Sequence, residues 1–550
     1  MSGDYRDVVE RRDCPDRHND VHMALTDSAR NAVVLAIDLG TGGPKTAYVD
    51  LDGTVLDHEH RRVSMRSLDG GGAVEDPNEW WDAIVASAAA LAERAVVPPN
   101  AVVAVACTGH WGSTVPVDAG GQAAGDCLLW LDQRGGAHAS RQLGGRISVE
   151  GYRPGAVLEW IRRAGGAPSP QGNDPLGHRL WIRHEDPDLY RRTAVFLEPV
   201  DYLNLRLSGR VAGTQASMIL SWLTDNRRLD PTGYDPKLVR LSGVDPERLP
   251  PLVPIRSVIG AVFAPVAAEL GIPTGTPVVA GLPDLHTAAL GAGTVDPYQW
   301  HLAVSSSAWV GCHTPDKRTS LAKQMATVPS ALPGRYILAN NHDCGGISLE
   351  WLRDRVVAPD DGLGRGDPSL ADLDRIATSV PSGAGGVMFV PWLKGERSPI
   401  TDSAMRASFL NIGIDTGRPE MVRAVMEGVA HQLRWLVDCS EKVVKNRAPE
   451  LRLIGGGAQS DLWCQIIADV LGRDVGRVER PLLANVRGAA LFAGLVTGRL
   501  EVDDLASGAA IDRVFLPEPG ATSTHEELHR EFLGLHASQK QMYHRLNGRG

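Results

Sequence analysis

The chain has 550 residues, 43 % hydrophobic and 22 % charged, with a formal net charge of −10. This length allows roughly two to four domains of ~150 residues, and the composition is that of a globular protein. The acidic balance argues against nucleic acid or an anionic membrane as a partner, and no apolar run reaches the ~18 residues of a membrane span.

The chain begins MSGDYRDVVERRDCPDRHND, charged and without the apolar stretch of a signal peptide. Residues 1–30 read as a disordered tail, and Met23 offers an alternative start. The cysteines, at 14, 107, 127, 312, 344, 439 and 464, form no CxxC pair. They read as reduced, buried thiols of a cytoplasmic protein rather than as nucleophiles.

From Val33, strands and helices alternate. The run VVLAID breaks at Gly40-Thr41-Gly42-Gly43 and resumes as TAYVDLDG, a hairpin signal. Asp38 ends the first strand, where a carboxylate can hold hydrated Mg²⁺. The glycines allow close approach of backbone N–H groups to a phosphate, and Thr41 and Lys45 add a hydroxyl and a cation. A second strand follows instead of a helix, so this is not the strand-GxxxxGK[ST]-helix phosphate loop. Residues 79–95 read as a helix started by Asp76-Pro77, 102–109 as a strand, and 164–178 as a Gly/Pro-rich loop. A second cycle begins near Thr276: PVVAGL before Asp284, a strand HLAVSSSAWVGC at 301–312, and a third candidate strand at 335–343. A helix at 420–437 and the strand-to-loop passage LRLIGGG at 451–457 complete it, and the last stretch reads as a helix or frayed tail. Two rounds of Gly-punctuated strands and helices suggest a duplicated α/β design.

Four segments occur in order: the DLGTGG hairpin, Asp284 in AGLPDLHTAALGAG, GERSP at 395–399 and IGGGAQSDLW at 454–463. Together they resemble the FGGY family of carbohydrate kinases, its xylulokinase-like members above all, from about Val33 to about Gly498. The resemblance implies an α/β fold of two actin-like (ribonuclease-H-like) ATPase domains, with ATP and sugar in the cleft between them. The expected organisation is a tail over 1–30, a sugar-recognition domain over 31–280, a nucleotide-binding domain over 281–525, and a tail or helix over 526–550.

The resemblance also implies roles. Asp284 would be the general base that takes the proton of the sugar hydroxyl, although an Asp at a strand-helix junction is also a common helix cap. Asp38 would hold Mg²⁺, with Thr41, Gly42, Lys45 and Ser306 at the phosphates. Gly456, Gly457 and Asp461 would form the adenine loop. His110, Trp111, Trp130 and Asp132 would line the sugar pocket, where an aromatic face meets C–H groups and polar side chains bond hydroxyls. The sequence departs from the family in places. Pro283 and Leu285 replace the usual Gly and Asn around the catalytic Asp. SSSA at 305–308 replaces GTSG, which would strain the hairpin if either lost glycine requires positive φ. Gly177-His178 degrades the first family signature and Asn411 alters the second. Glu396 and Arg397 are expected to pair with each other.

The expected function is ATP-dependent phosphorylation of a small polyol or ketose, with D-xylulose leading and glycerol, ribulose or erythritol as alternatives. A weak relative serving as a sugar or nucleotide sensor, or an actin-like filament ATPase, are the competing classes. A homodimer is left open.

Overall fold

The computed structural model describes residues 32–149, 151–359, 361 and 366–547. The expectation of a disordered tail over 1–30 therefore lies outside the described residues.

Strand Val33–Gly40 is buried along almost its whole length. Its alternate residues enter different cores, as a period of two requires. Val33, Leu35, Ile37 and Leu39 join an outer cluster with Trp80, Trp81 and Ile84. Val34 and Ala36 face inward with Ala47, Ala104 and Ala106. Those inward residues are small because a helix, Ala484–Val496, lies close against them and adds its own Ala489, Ala490 and Ala493.

The strand is the middle of a sheet built by two rules. On one side Gly43–Asp50 and then Val55–His60 pair antiparallel. On the other Val102–Gly109 pairs parallel, followed by the parallel Pro277–Val279 and the antiparallel edge Val258–Ala261. The second sheet repeats this plan. Trp300–Val304 pairs antiparallel with Ala308–Thr314, which pairs antiparallel with Tyr336–Ala339. Its other side carries Glu450–Ile454 and Asp474–Val478 in parallel and Ile511–Phe515 antiparallel. The duplication expected from the sequence is therefore a repeat of strand order and direction.

Two helices lie between the sheets. Asp284–Gly291 and Ala484–Val496 pack directly on each other. One flank contributes to the first sheet's inner core and the other meets Ala303 and Ile454 of the second sheet. The outer face of the second sheet is covered by the 27-residue helix Arg418–Val444.

Local expectations fare unevenly. The helix Pro77–Arg94 starts as anticipated, with Asp76 accepting from the Asn78 N–H. The stretch 301–312 is two strands joined by a turn at Ser305–Ser307, not one. The loop read over 164–178 ends earlier, because Pro175 already opens the helix Pro175–Glu185 under an Asp174 cap. The C-terminal stretch is one helix, Pro519–Asn547. The six cysteines among the described residues are free and buried. No helix among them is long and apolar enough to cross a membrane.

Candidate active site

The first hairpin turn works because two adjacent glycines do different things. Gly43 has φ +115°, and a Cβ there would lie 2.1 Å from the Arg61 carbonyl oxygen, so no other residue fits. At Gly42 a Cβ would meet nothing within 4 Å, so the turn is open on that side. Asp38, at the end of the strand, is buried and pairs with Lys45 Nζ at 3.1 Å. The register sets this pair, since Asp38 and Lys45 are direct cross-strand partners.

Asp284 is the first residue of the inner helix. Burial and the neighbouring Asp38 carboxylate push its pKa up to about 7, with Lys45 and the Leu285 N–H working against them. The helix is tied to the first sheet through Thr287, whose hydroxyl lies 2.7 Å from that of Thr108. Asp38, Lys45 and Asp284 are thus brought together from three elements.

An opening adjoins Asp38 and Lys45, lined also by Ser305, Trp309, Gly455 and Asn485 among others. Gly455 has φ +93°, and a Cβ would sit 2.5 Å from the Val304 carbonyl oxygen. It lets the loop cross the second hairpin closely. Gly456 and Gly457, the expected adenine glycines, follow in a 3₁₀ turn, so the lining glycine is Gly455. Asp461 is turned to other work: it pairs with Arg477 and Arg513 on neighbouring strands. Ser460 caps its helix by accepting from the Trp463 N–H.

The second hairpin corrects an expectation. None of Ser305, Ser306, Ser307 and Ala308 has positive φ, so Cβ atoms at 305 and 308 cost no backbone strain. Ser306 is exposed at the turn. The glycines that this turn does need lie elsewhere. A Cβ on Gly345 or Gly346 would strike the Ser307 or Ser305 carbonyl at 2.6–2.7 Å. Ala308 pairs through its backbone with His342, whose buried imidazole bonds the buried Glu396. Glu396 therefore braces this hairpin through His342, and Arg397 pairs with Asp343 at 3.3 Å. The expected Glu396–Arg397 pair does not form.

On the other side, His110 follows strand Val102–Gly109. Its Nδ1 lies 2.9 Å from Ser113 Oγ, and its buried Nε2 has no partner. Burial lowers its pKa to about 4, which keeps the ring neutral. Trp130 joins three parts of the site. Its backbone N–H donates to Ser113 Oγ, its indole N–H reaches Thr41 Oγ1 at 3.5 Å, and Arg397 lies 5.8 Å over its ring. Trp111 packs among Ile219, Leu285 and Ala289 and donates to the Ser217 carbonyl. Asp132 is fully buried, with both oxygens taken by the Ala73 and Arg134 N–H groups and the Arg134 guanidinium. It braces the loop instead of presenting a free acceptor. Sequence reasoning missed Ser113 and Glu198, whose Oε2 accepts the Gly112 and Ser113 N–H groups. A lone Ser and a Glu 85 residues away carry no motif.

The profile of the N-terminal domain of the FGGY carbohydrate kinases matches residues 33–291, and that of the C-terminal domain matches 306–496. The chain belongs to the FGGY family of carbohydrate kinases. A xylulose kinase of Staphylococcus epidermidis is 26 % identical over 93 % of this chain and 97 % of its own length. An autoinducer-2 kinase of Enterobacter is 27 % identical over 92 % and 94 %, and a gluconokinase of Bacillus licheniformis 23 % identical over 86 % and 89 %. A xylulose kinase structure from Brucella ovis superposes with a TM-score of 0.78 at 23 % identity, covering 93 % of this chain and all of that one. The fold is therefore that of the two-domain, actin-like FGGY kinases, and the chain is a carbohydrate kinase.

Proposed function

We propose that this FGGY kinase transfers the γ-phosphoryl group of ATP to the terminal hydroxyl of a small open-chain ketose or polyol, with D-xylulose the first candidate. The carrying observation is Asp284: half-buried at the head of the inner helix, beside Asp38 and Lys45, with its pKa pushed up to about 7. A base poised near the working pH accepts a proton most effectively. The hydroxyl proton passes to Asp284, the oxygen bonds the γ-phosphorus, and the bond to ADP breaks. With no positive φ at Ser305 or Ala308, the SSSA turn, one of the two departures that favour a sensor, carries no such strain.

Phosphoryl transfer is mostly positioning and charge stabilisation. The Gly40–Gly43 turn with Thr41, Gly42 and Lys45 would hold phosphate oxygens, with Ser306 opposite. The base would lie along Gly455–Gly457. Asp38 fits Mg²⁺, which takes oxygen ligands and keeps several waters with only one or two carboxylates. Mg²⁺ would supply neutralisation of phosphate charge. His110, Trp111 and Trp130 would line the sugar pocket. We place the change between sugar-binding and nucleotide-binding halves near residue 281, just before the inner helix begins at Asp284.

The substrate claim rests on His110 and on relatives with differing names. It is tested by incubating the protein with ATP, Mg²⁺ and each of D-xylulose, ribulose, glycerol, erythritol and gluconate, with products read by mass spectrometry. Xylulose phosphate is the expected strongest product. Another sugar phosphate instead would sink the pentulose assignment, and phosphate release without any sugar phosphate would sink the kinase assignment.

A further inference from the structure

Three groups meet at one hydroxyl. Ser113 Oγ accepts the Trp130 backbone N–H at 3.1 Å and bonds His110 Nδ1 at 2.9 Å. Its own proton has no other acceptor among the described residues. If Nδ1 carried the imidazole proton, the serine would accept two bonds and its buried O–H would go unused. If Nδ1 accepts, the serine proton and Nδ1 are both used, as the rule for buried polar atoms favours. The imidazole proton then sits on Nε2, the atom left buried and unpartnered. A buried donor with no partner carries a penalty that a bound oxygen would remove. Ser113 is itself held: Glu198 Oε2 accepts its N–H and that of Gly112. Burial keeps His110 neutral, so a single tautomer can be fixed.

We propose that Ser113 is a positioning residue that fixes His110 as the Nε2–H tautomer, so that the pocket offers the sugar a hydrogen-bond donor and selects ligands with a carbonyl or hydroxyl oxygen at that place. This rests on the reading of His110 as a sugar contact. The same hydroxyl joins the His110 and Trp130 loops, so substrate recognition and loop placement share one atom.

The test uses the full chain labelled with ¹⁵N-histidine, and the sugar best turned over in the panel above. His110→Gln identifies the His110 ring signals. The wild type should show a neutral ring protonated at Nε2. Ser113→Ala should turn this into a tautomer mixture, raise KM for the sugar about 2- to 10-fold, and leave KM for ATP unchanged. Ser113→Thr, which keeps the hydroxyl, should recover the Nε2–H signature. A wild-type ring protonated at Nδ1 would overturn the proposal without recourse to any serine variant, and so would a Ser113→Ala ring still locked at Nε2–H. If His110→Gln leaves KM unchanged for every sugar while the wild-type ring is Nε2–H, it is the sugar-pocket reading that fails.

Discussion

At Asp284 the proposed base role and the protein's electrostatics coincide, so its variants are decisive. Asp284→Asn should keep ATP binding and lose about 10²- to 10⁴-fold in kcat, the usual cost of removing a general base. The base must be ionised to act. With a pKa near 7, kcat/KM for the sugar should fall tenfold per unit as pH drops below about 7, and level off above it. A flat profile between pH 5.5 and 8, or an Asp284→Ala variant with half its activity, would remove Asp284 from this role. The second hairpin yields the opposite kind of expectation. Ser305→Gly with Ala308→Gly relieves no strain, because neither residue has positive φ. KM for ATP should stay within about twofold, and the melting temperature should fall slightly, since glycine in a strand or turn end has more freedom to lose, roughly 0.5–1 kcal/mol each. Asp38 and Asp284 were legible in the sequence because each ends an apolar run beside small residues. Asp132 was misleading for a physical reason: its spacing from Trp130 is right, but Arg134 two residues on takes its carboxylate. Ser113 was invisible, since its role depends on what folds onto it.

Elements were legible where period and punctuation agreed, as in the helix started by Asp76-Pro77. Pattern alone reads through the turn at Ser305–Ser307 as strand, because no Gly or Pro marks it, and only the family resemblance put a hairpin there; what shapes it is Gly345-Gly346, forty residues later. The C-terminal helix shows how much a polar pattern can conceal. Its His525 and His529 are buried against His431 of helix Arg418–Val444, and its His536 and His544 reach Asp402. Burial lowers the pKa of His525 to about 4, of His529 to about 3, and of His431 well below its ordinary value. Nearby Arg423 and Arg434 push the same way, while Glu427, raised to about 7 by burial, lies 3.9 Å from His525. Asp438 and Asp469, also raised by burial, complete the surroundings with the exposed Glu526. The sign follows from proton counts. Between about pH 6.5 and 4 the unfolded histidines bind protons that the folded ones refuse, so stability falls with acid at about 1.4 kcal/mol per pH unit for each. Glu427 opposes this, binding its proton more readily when folded. Asp438 and Asp469, also raised, oppose it in the same sense, and the three histidines should leave a net fall in stability between pH 7.5 and 5.5. Thermal melts across that range should show it, and His529→Leu should flatten the slope. An equal slope in that variant would mean the cluster does not control acid stability.

The whole molecule turns on how closely its two inner helices approach. The duplicated sheets could be anticipated from alternating patterns, and the ordered motifs pointed to the cleft. The central contact could not, because a glycine in the helical sequence LANVRGAALF reads as mere tolerance. A Cβ on Gly488 would lie 1.9 Å from the Thr287 carbonyl oxygen, and one on Gly291 would lie 1.7 Å from that of Ala484. The helices thus touch backbone to backbone, and Asp284 stands one turn before Thr287 on one of them. Gly488→Ala separates two effects of opposite sign. In a free helix alanine is favoured over glycine by about 1 kcal/mol, so a loosely packed helix would gain stability. Here the added methyl must force the helices apart, and overpacking of this kind costs about 1–3 kcal/mol. Gly534→Ala is the matched control, since its Cβ would meet nothing within 4 Å on helix Pro519–Asn547. Gly534→Ala should raise the melting temperature and leave turnover alone. Gly488→Ala should lower both, with kcat falling further than ATP affinity, because the proposed base Asp284 moves with its helix while the proposed phosphate turn at Gly40–Gly43 stays on its own sheet. A Gly488→Ala protein as stable and active as the wild type would show that the two halves are not held at this contact.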